Sequence, residues 1–148
     1  MKLLIISDTH GKINNLDKII ELEKPDSIIF CGDGERDLLN YNNVIGVSGN
    51  CDFYNFFPNS QTINLLNKKI FLTHGHLFHV KSGLNELVYY AEMNNVNIVI
   101  FGHTHIPYNE YIGNVLFFNP GSYNYAEFNR YGIIELNKEI KAYLKIYN

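Results

Sequence analysis

Five short apolar runs in this chain each hand over directly to a loop carrying an aspartate, an asparagine or a histidine. The runs are Leu3 to Ile6, Asp26 to Cys31, Val44 to Val47, Lys69 to Thr73 and Asn97 to Phe101. They deliver Asp8-Thr9-His10, Asp33, Asn50, His74 and His103-Thr104-His105. Short apolar runs bounded by turn residues read as strands, and strands buried on both faces belong to parallel sheets covered by helices. In open α/β folds a chain leaving such strands emerges at the carboxyl edge of the sheet, where ligands bind. Seven N- and O-donor side chains are therefore expected to meet at one edge.

The segments between these runs fit the same plan. Lys12 to Leu22 carries Ile13, Leu16, Ile19, Ile20 and Leu22 at helical spacing and is closed by Pro25, so the first two strands enclose a helix in a right-handed βαβ unit. Glu35 to Leu39 reads as a short helix and Phe53 to Ser60 as an irregular loop. Gln61 to Leu66 and Lys69 to Thr73 read as a hairpin turning through Asn67 and Lys68. Val80 to Asn94 is a second helix, with Leu84, Leu87, Val88 and Ala91 on one face. Pro107 to Ile112 and Val115 to Phe118 pair through Gly113-Asn114, a turn suited to type II′. After the tight loop Asn119-Pro120-Gly121-Ser122, Tyr131 to Leu136 and Ile140 to Ile146 form a third hairpin.

Bulk properties narrow the function classes. At 148 residues, with 46% hydrophobic and 18% charged residues, the chain reads as one domain over residues 1–148 that buries a core without staples. A net charge of -3 speaks against a basic face for a long nucleic acid. No apolar run approaches membrane-spanning length, and no leader-like segment opens the sequence, so a cytoplasmic location is expected. Cys31 and Cys51 form neither a disulfide framework nor a thiolate zinc motif.

The donors carry the chemistry. Asp8 and His10 stand two apart, so in extended backbone they would point the same way. Asp-x-His alone is a frequent chance pattern, and its weight comes from the other four loops. Seven donors exceed one closed tetrahedral zinc site. They suit two cations roughly 3.5 to 4 Å apart that share a carboxylate and keep positions open for water and substrate. Four positive charges, less those of Asp8, Asp33 and a bound hydroxide, leave the pocket positive in a chain that is negative as a whole. Such a pocket selects an anion, and phosphate oxygens are the matching hard partners.

Taken in order, Asp8-x-His10, Gly32-Asp33, Gly49-Asn50-Cys51-Asp52, His74-Gly75-His76 and Gly102-His103-Thr104-His105 resemble the calcineurin-like metallophosphoesterase superfamily. The short length, the Gly-Asn-Cys-Asp form and the Asn119-Pro120-Gly121-Ser122 loop resemble its compact bacterial and archaeal phosphodiesterase branch. The resemblance implies an α/β fold, a four-layer αββα sandwich of two mixed β-sheets. It implies a metal-dependent phosphoesterase, chiefly a phosphodiesterase, acting on a small phosphate ester. Residue by residue it puts Asp8, His10 and His105 on a first divalent metal, Asn50, His74 and His103 on a second, and Asp33 between them. A metal-bridging hydroxide would then attack phosphorus in line, with Asn50 also touching a phosphate oxygen. Manganese is the expected metal, and nickel, iron, cobalt and zinc suit the same mixed N and O donors.

One position departs from the wider superfamily, in which a histidine following the asparagine is thought to protonate the leaving group. Here that place is Cys51, a thiol with a reference pKa of about 8.5. The candidate proton donors are Cys51 and His76, and His76 also suits a supporting role behind a ligand. Rival readings are a non-catalytic protein-binding scaffold on the same fold and a nuclease for short or cyclic nucleotides. His79 reads as a surface residue and Arg36 as a solvated helix charge or a phosphate contact. Asp52 reads as a turn cap or the orienter of a neighbour. Phe53, Tyr54, Phe56 and Phe57 fit a substrate wall, local packing or a contact with a second copy of the chain.

Overall fold

The computed structural model describes residues 1–148, and its topology follows from how the apolar runs divide their side chains. In the first strand, β1 (Lys2–Ile6), Leu3 and Ile5 point one way and Leu4 and Ile6 the other, and all four are fully buried. A strand with two apolar faces needs a layer on each side. Helix α1 (Leu16–Glu23) covers the Leu4 and Ile6 face, and the opposite face meets a second sheet.

The first sheet also contains β2 (Ser27–Phe30), β3 (Val44–Gly46), the two-residue β9 (Asn124–Tyr125), β10 (Phe128–Leu136) and β11 (Ile140–Tyr147). Its order is β11-β10-β1-β2-β3, with β9 alongside β10. The β1, β2 and β3 strands are parallel, and β10 joins β1 antiparallel. The second sheet runs β4 (Ser60–Leu65), β5 (Lys68–Thr73), β6 (Ile98–Ile100), β8 (Val115–Asn119), β7 (Tyr108–Ile112), parallel at its centre and antiparallel at both edges. Between the sheets lie Leu3, Ile5, Ile29, Leu72, Ile98, Ile100, Phe118 and Ile134. Helix α2 (Asn85–Met93) closes the outer face of the second sheet over Phe71, Val99, Phe101 and Phe117. The order of layers is helix, sheet, sheet, helix, the αββα arrangement expected. No helix is long and apolar enough to cross a membrane.

Several boundaries differ from the sequence expectation, each for a local reason. The first helix begins at Leu16, not Lys12, because Asn15 takes a left-handed conformation (φ 65°). Its buried face is Leu16, Ile19 and Glu23. Leu22, six positions from Leu16, falls on the opposite side and is exposed. The second helix is split: Val80–Ser82 forms a 3-10 turn, and Gly83, at φ 126°, separates it from α2. A 3-10 turn over Glu35–Leu38 stands where the short helix was expected. The β9 strand falls where no strand was expected.

The first hairpin turns one residue earlier than Asn67-Lys68. Leu65 pairs with Lys68, leaving Leu66 and Asn67 as the turn, and both have positive φ, 47° and 62°. Two central residues of positive φ define the type I′ turn that matches strand twist, for which Asn-Gly is preferred. In the Gly113-Asn114 hairpin only Gly113 has positive φ (60°), as type II′ requires.

Leucine in the left-handed region costs about 1–2 kcal/mol, and Leu66 is half exposed, so its side chain returns little through burial. Leu66→Asn is expected to stabilise the protein by about 0.5–1 kcal/mol, raising the thermal midpoint by about 1.5–3 °C. A melting curve followed by circular dichroism checks this, and an unchanged or lowered midpoint contradicts the turn assignment.

Candidate metal centre

The ends of β1, β2, β3, β5 and β6 lie together, because the two sheets pack with these carboxyl ends on one side. Strand β1 leads to Asp8 and His10, β2 to Asp33, β3 to Asn50, β5 to His74, and β6 to His103 and His105. Around the buried Asp8 Oδ1 stand His105 Nε2 at 3.0 Å, His10 Nε2 at 3.8 Å and His74 Nε2 at 3.9 Å. His74 Nε2 is also 3.3 Å from Asp33 Oδ2 and 3.0 Å from Asn50 Oδ1. The His103 ring lies edge-on to that of His74, centroids 5.0 Å apart.

Three overlapping sets bring potential ligand atoms within 4.8 Å of one another: Asp8, His10 and His105; Asp8, Asp33 and His74; and His10, Asp33 and Cys51. Asp8, Asp33 and His10 each belong to two of them. Asn50 and His103 border these sets through their contacts with His74. His76 lies behind them, its ring 5.4 Å from that of His74 and 6.0 Å from that of His103. His79 is elsewhere, paired with Glu86 on the surface.

Asp8 and His10 do not converge through extended backbone, as their spacing suggested. Both are left-handed, at φ 55° and 47°, and so are Asp33, His103 and His105, at 62°, 68° and 61°. Five of the chain's fourteen non-glycine residues with positive φ are thus candidate ligands. Each such residue costs of order 1–3 kcal/mol unless its surroundings hold it, and strain of this kind gathers at functional sites. Here backbone bonds between loops hold it: Asp8 N–H donates to the Gly32 carbonyl at 2.9 Å and His10 N–H to that of Asp33 at 3.0 Å.

The chemistry of the donors suits a cation. Asp8 Oδ1 is buried without a hydrogen-bond partner, whereas its Oδ2 accepts from the Ser7 hydroxyl and the His103 N–H. A buried carboxylate oxygen left unpaired is costly. His74 Nδ1–H donates to the Cys31 carbonyl at 2.7 Å, which turns Nε2 towards two oxygens. A neutral Nε2 carries a lone pair, so it faces those oxygens favourably only with a proton or a metal ion between them.

The ionisation equilibria show the same conflict. Burial opposes charge on Asp33, yet hydrogen bonding and charge from His74, with the Cys51 N–H, hold its carboxyl far below the usual range. Burial raises Asp8 above its ordinary value despite His74 and His105. Burial would lower His74, but Asp33 and Asp8 outweigh it and raise the group. His103 is pushed down to about 4, by burial first and then by His74.

Several contacts that frame the cluster were not legible in the motifs, although Asp52 itself was read as a turn cap or the orienter of a neighbour. Asp52 accepts backbone N–H bonds from Asp33, Gly34, Glu35 and Gly49 at 2.8–3.0 Å, so it staples the Asp33 loop to the Asn50 loop. Gly49 permits this approach: a Cβ there would stand 2.1 Å from Asp33 Oδ1. Buried Glu35 accepts the N–H groups of Tyr54 and Phe56 and the Ser48 hydroxyl. Asn119 donates to the Gly102 carbonyl and the Thr104 hydroxyl, and Ser122 to the Asp8 carbonyl. The 119–122 loop therefore braces both the first and the last ligand loops. The sequence signal was polar residues in a tight loop after a buried strand, which does not say what they touch.

From His10, Asp33 and Cys51 a cleft of about 350 Å³ opens towards Arg36, Phe53 and Tyr54. Phe53 and Tyr54 thus form one wall of the space beside the cluster, whereas Phe56 stacks on Tyr54 and Phe57 packs against Phe30 and the core, the local-packing alternative.

Comparison with known proteins agrees with this geometry. Residues 1–139 match the calcineurin-like phosphoesterase superfamily domain. A probable metallophosphoesterase of Bacillus subtilis, YsnB, is 34% identical over 146 residues, covering 94% of this chain and 86% of its own. The Escherichia coli K12 phosphodiesterase YfcE is 32% identical over 152 residues, covering 82% of this chain and 79% of its own. The crystal structure of a predicted phosphoesterase from Streptococcus pneumoniae TIGR4 superposes with a TM-score of 0.84 at 29% identity, covering 97% of this chain and 87% of that one. The chain belongs to the calcineurin-like phosphoesterase superfamily.

Proposed function

We propose that this chain hydrolyses a phosphodiester of a small molecule at a centre that takes two divalent cations, manganese foremost. Membership of a metallophosphoesterase family makes it a phosphoester hydrolase that uses divalent metal ions. The observation that carries the finer reading is the unpartnered, buried Oδ1 of Asp8 facing the Nε2 atoms of His10, His74 and His105. In this reading Asp8, His10 and His105 hold the first cation, Asn50, His74 and His103 the second, and Asp33 serves both. Cations bound there supply Lewis acidity, which lowers the pKa of a water and neutralises charge on the phosphate.

The chain's own part is to hold the donors and exclude alternatives. The Cys31 carbonyl fixes the His74 tautomer and the Cys51 N–H fixes one oxygen of Asp33, at 2.8 Å, so neither ligand must reorganise. Cys51 lines the cleft with His10 and Asp33, which supports the reading of its thiol as the proton donor to the departing oxygen. His76 does not line that cleft, and its ring stands beside those of His74 and His103, which favours a supporting role there over that of proton donor. The scaffold reading gains nothing from the cluster, where the full donor set, Asp33 included, is present. A long nucleic acid has no basic track here: Arg36 is the one lysine or arginine beside four carboxylates.

Chelation of the purified protein is expected to abolish release of p-nitrophenol from bis(p-nitrophenyl) phosphate, and added manganese to restore it. A chelated protein that stays silent with manganese, nickel, cobalt and zinc alike sinks the reading. Asp33→Ala is expected to lower bound metal from two ions to at most one per chain by elemental analysis, with kcat/KM falling at least about a hundredfold. Cys51→Ala is expected to keep both ions and to slow esters with poor leaving groups more than activated ones. Equal metal loss in the two variants contradicts this division of roles.

A further inference from the structure

The cleft beside the cluster contains a cation without a counter-ion. Arg36 lies among Asp33, Glu35, Asp37 and Asp52, yet it forms no ion pair. Each carboxylate is committed elsewhere. Glu35 and Asp52 accept backbone N–H groups, Asp37 accepts the Thr9 hydroxyl and the Gly11 N–H, and Asp33 faces His74. An unpaired guanidinium in so acidic a setting would ordinarily find a partner.

It is also held in place. The Arg36 guanidinium lies over the Tyr54 ring, 5.0 Å from its centroid, with Nη1 3.4 Å from the phenol oxygen. Tyr54 stacks in turn on Phe56, centroids 5.5 Å apart and planes within 16°. Buried Glu35 fixes the backbone N–H groups of both aromatics. The stack of Phe56, Tyr54 and Arg36 is therefore anchored in the protein interior, although its rings are half exposed or more. A guanidinium aligned in this way presents a fork of donors that fits phosphate oxygens. The cleft that joins it to His10 and Asp33, about 350 Å³, is within the range of small-molecule sites.

We propose that Arg36 is a specificity-determining residue that binds a second phosphate group, carried on the organic part of the substrate, while the scissile phosphate lies at the Asp33 cluster. The inference rests on the phosphoesterase reading above. It narrows the substrate class to esters bearing two phosphates, such as a nucleoside bisphosphate ester. Tyr54 is the positioning residue for Arg36.

The test uses the manganese-loaded protein with two chromogenic esters, thymidine 5′-(p-nitrophenyl phosphate) with and without a 3′-phosphate. The wild-type protein is expected to show a KM about tenfold lower for the 3′-phosphorylated ester. Arg36→Gln should bring the KM ratio close to one, Arg36→Lys should keep part of it, and Tyr54→Ala should lower it. Because both esters are read in the same preparation, partial loss of folding does not move the ratio. Calorimetry on the manganese-loaded protein gives a second readout that does not depend on turnover: thymidine 3′,5′-bisphosphate should bind about tenfold tighter than thymidine 5′-phosphate, and Arg36→Gln should erase the difference. A wild-type ratio near one, or one that Arg36→Gln leaves intact, overturns the inference alone. If no ester, bis(p-nitrophenyl) phosphate included, releases p-nitrophenol with any metal, the phosphoesterase reading falls and the inference with it.

Discussion

Two buried carboxylates, Asp8 and Asp33, stand with oxygens within 4.8 Å of each other and of the same imidazole nitrogen. Two like charges about 4 Å apart repel by about 4 kcal/mol at the effective dielectric of a protein, and desolvation adds to that. The hydrophobic layer between the sheets, which includes Leu3, Ile5, Ile29 and Cys31, holds no charge to relieve the repulsion. Buried His74, the Ser7 hydroxyl and the His103 and Cys51 N–H groups relieve part of it, and the rest is left to the open side, where His10 and His105 are exposed. The arrangement is therefore asymmetric: apolar and rigid behind, cation-seeking in front. That asymmetry makes the edge of the sheets a site and not merely an end.

Rigidity at this edge comes from several separate clamps. Strand ends alone would leave loops free to drift, and five left-handed ligands would relax without support. Asp52 ties the second loop to the third, the 119–122 loop ties the first to the last, and the Cys31 carbonyl orients His74. The Cys31–His74 and Ser122–Asp8 bonds join loops of different sheets, so they form only when both sheets are in place. The site is thus coupled to the packing of Leu72, Ile100 and Phe118 between the sheets. A cavity made there would be felt as loosened ligands as well as lost stability.

This separation also decides what could be read in the chain. The strands were legible because runs such as Leu3 to Ile6 need burial on both faces, and with the strands came the positions of the ligands. The order of donors along the sequence was enough to name the family. Backbone conformation was not legible: Asp8 and His10 meet through a left-handed turn that no pattern of residue types specifies. The Leu66-Asn67 turn was displaced by one residue because Leu66 is an unfavourable occupant, and strand register overrode local preference. The late start of the helix expected from Lys12, where Asn15 turns left-handed, has the same character. Asp52 was legible as a turn cap or the orienter of a neighbour, but its reach to the Asp33 loop was not, and Glu35 could not be placed, since their partners are backbone amides whose positions only the fold defines.

Arg36 shows how burial of the acids changes the meaning of a surface charge. In sequence it sits between Glu35 and Asp37 and looks neutralised by its neighbours. In the fold Glu35 turns inward to the 53–57 segment and Asp37 to Thr9 and Gly11, which leaves the guanidinium without either. The same Glu35 that abandons Arg36 also fixes the aromatic stack on which Arg36 lies. One buried carboxylate therefore frees the cation and aims it. The cleft thus carries one forked cationic donor, Arg36, at its far wall, and with metal ions at the near one it would offer a cationic contact at each end, a spacing that favours a ligand negative at two places over one negative at a single point.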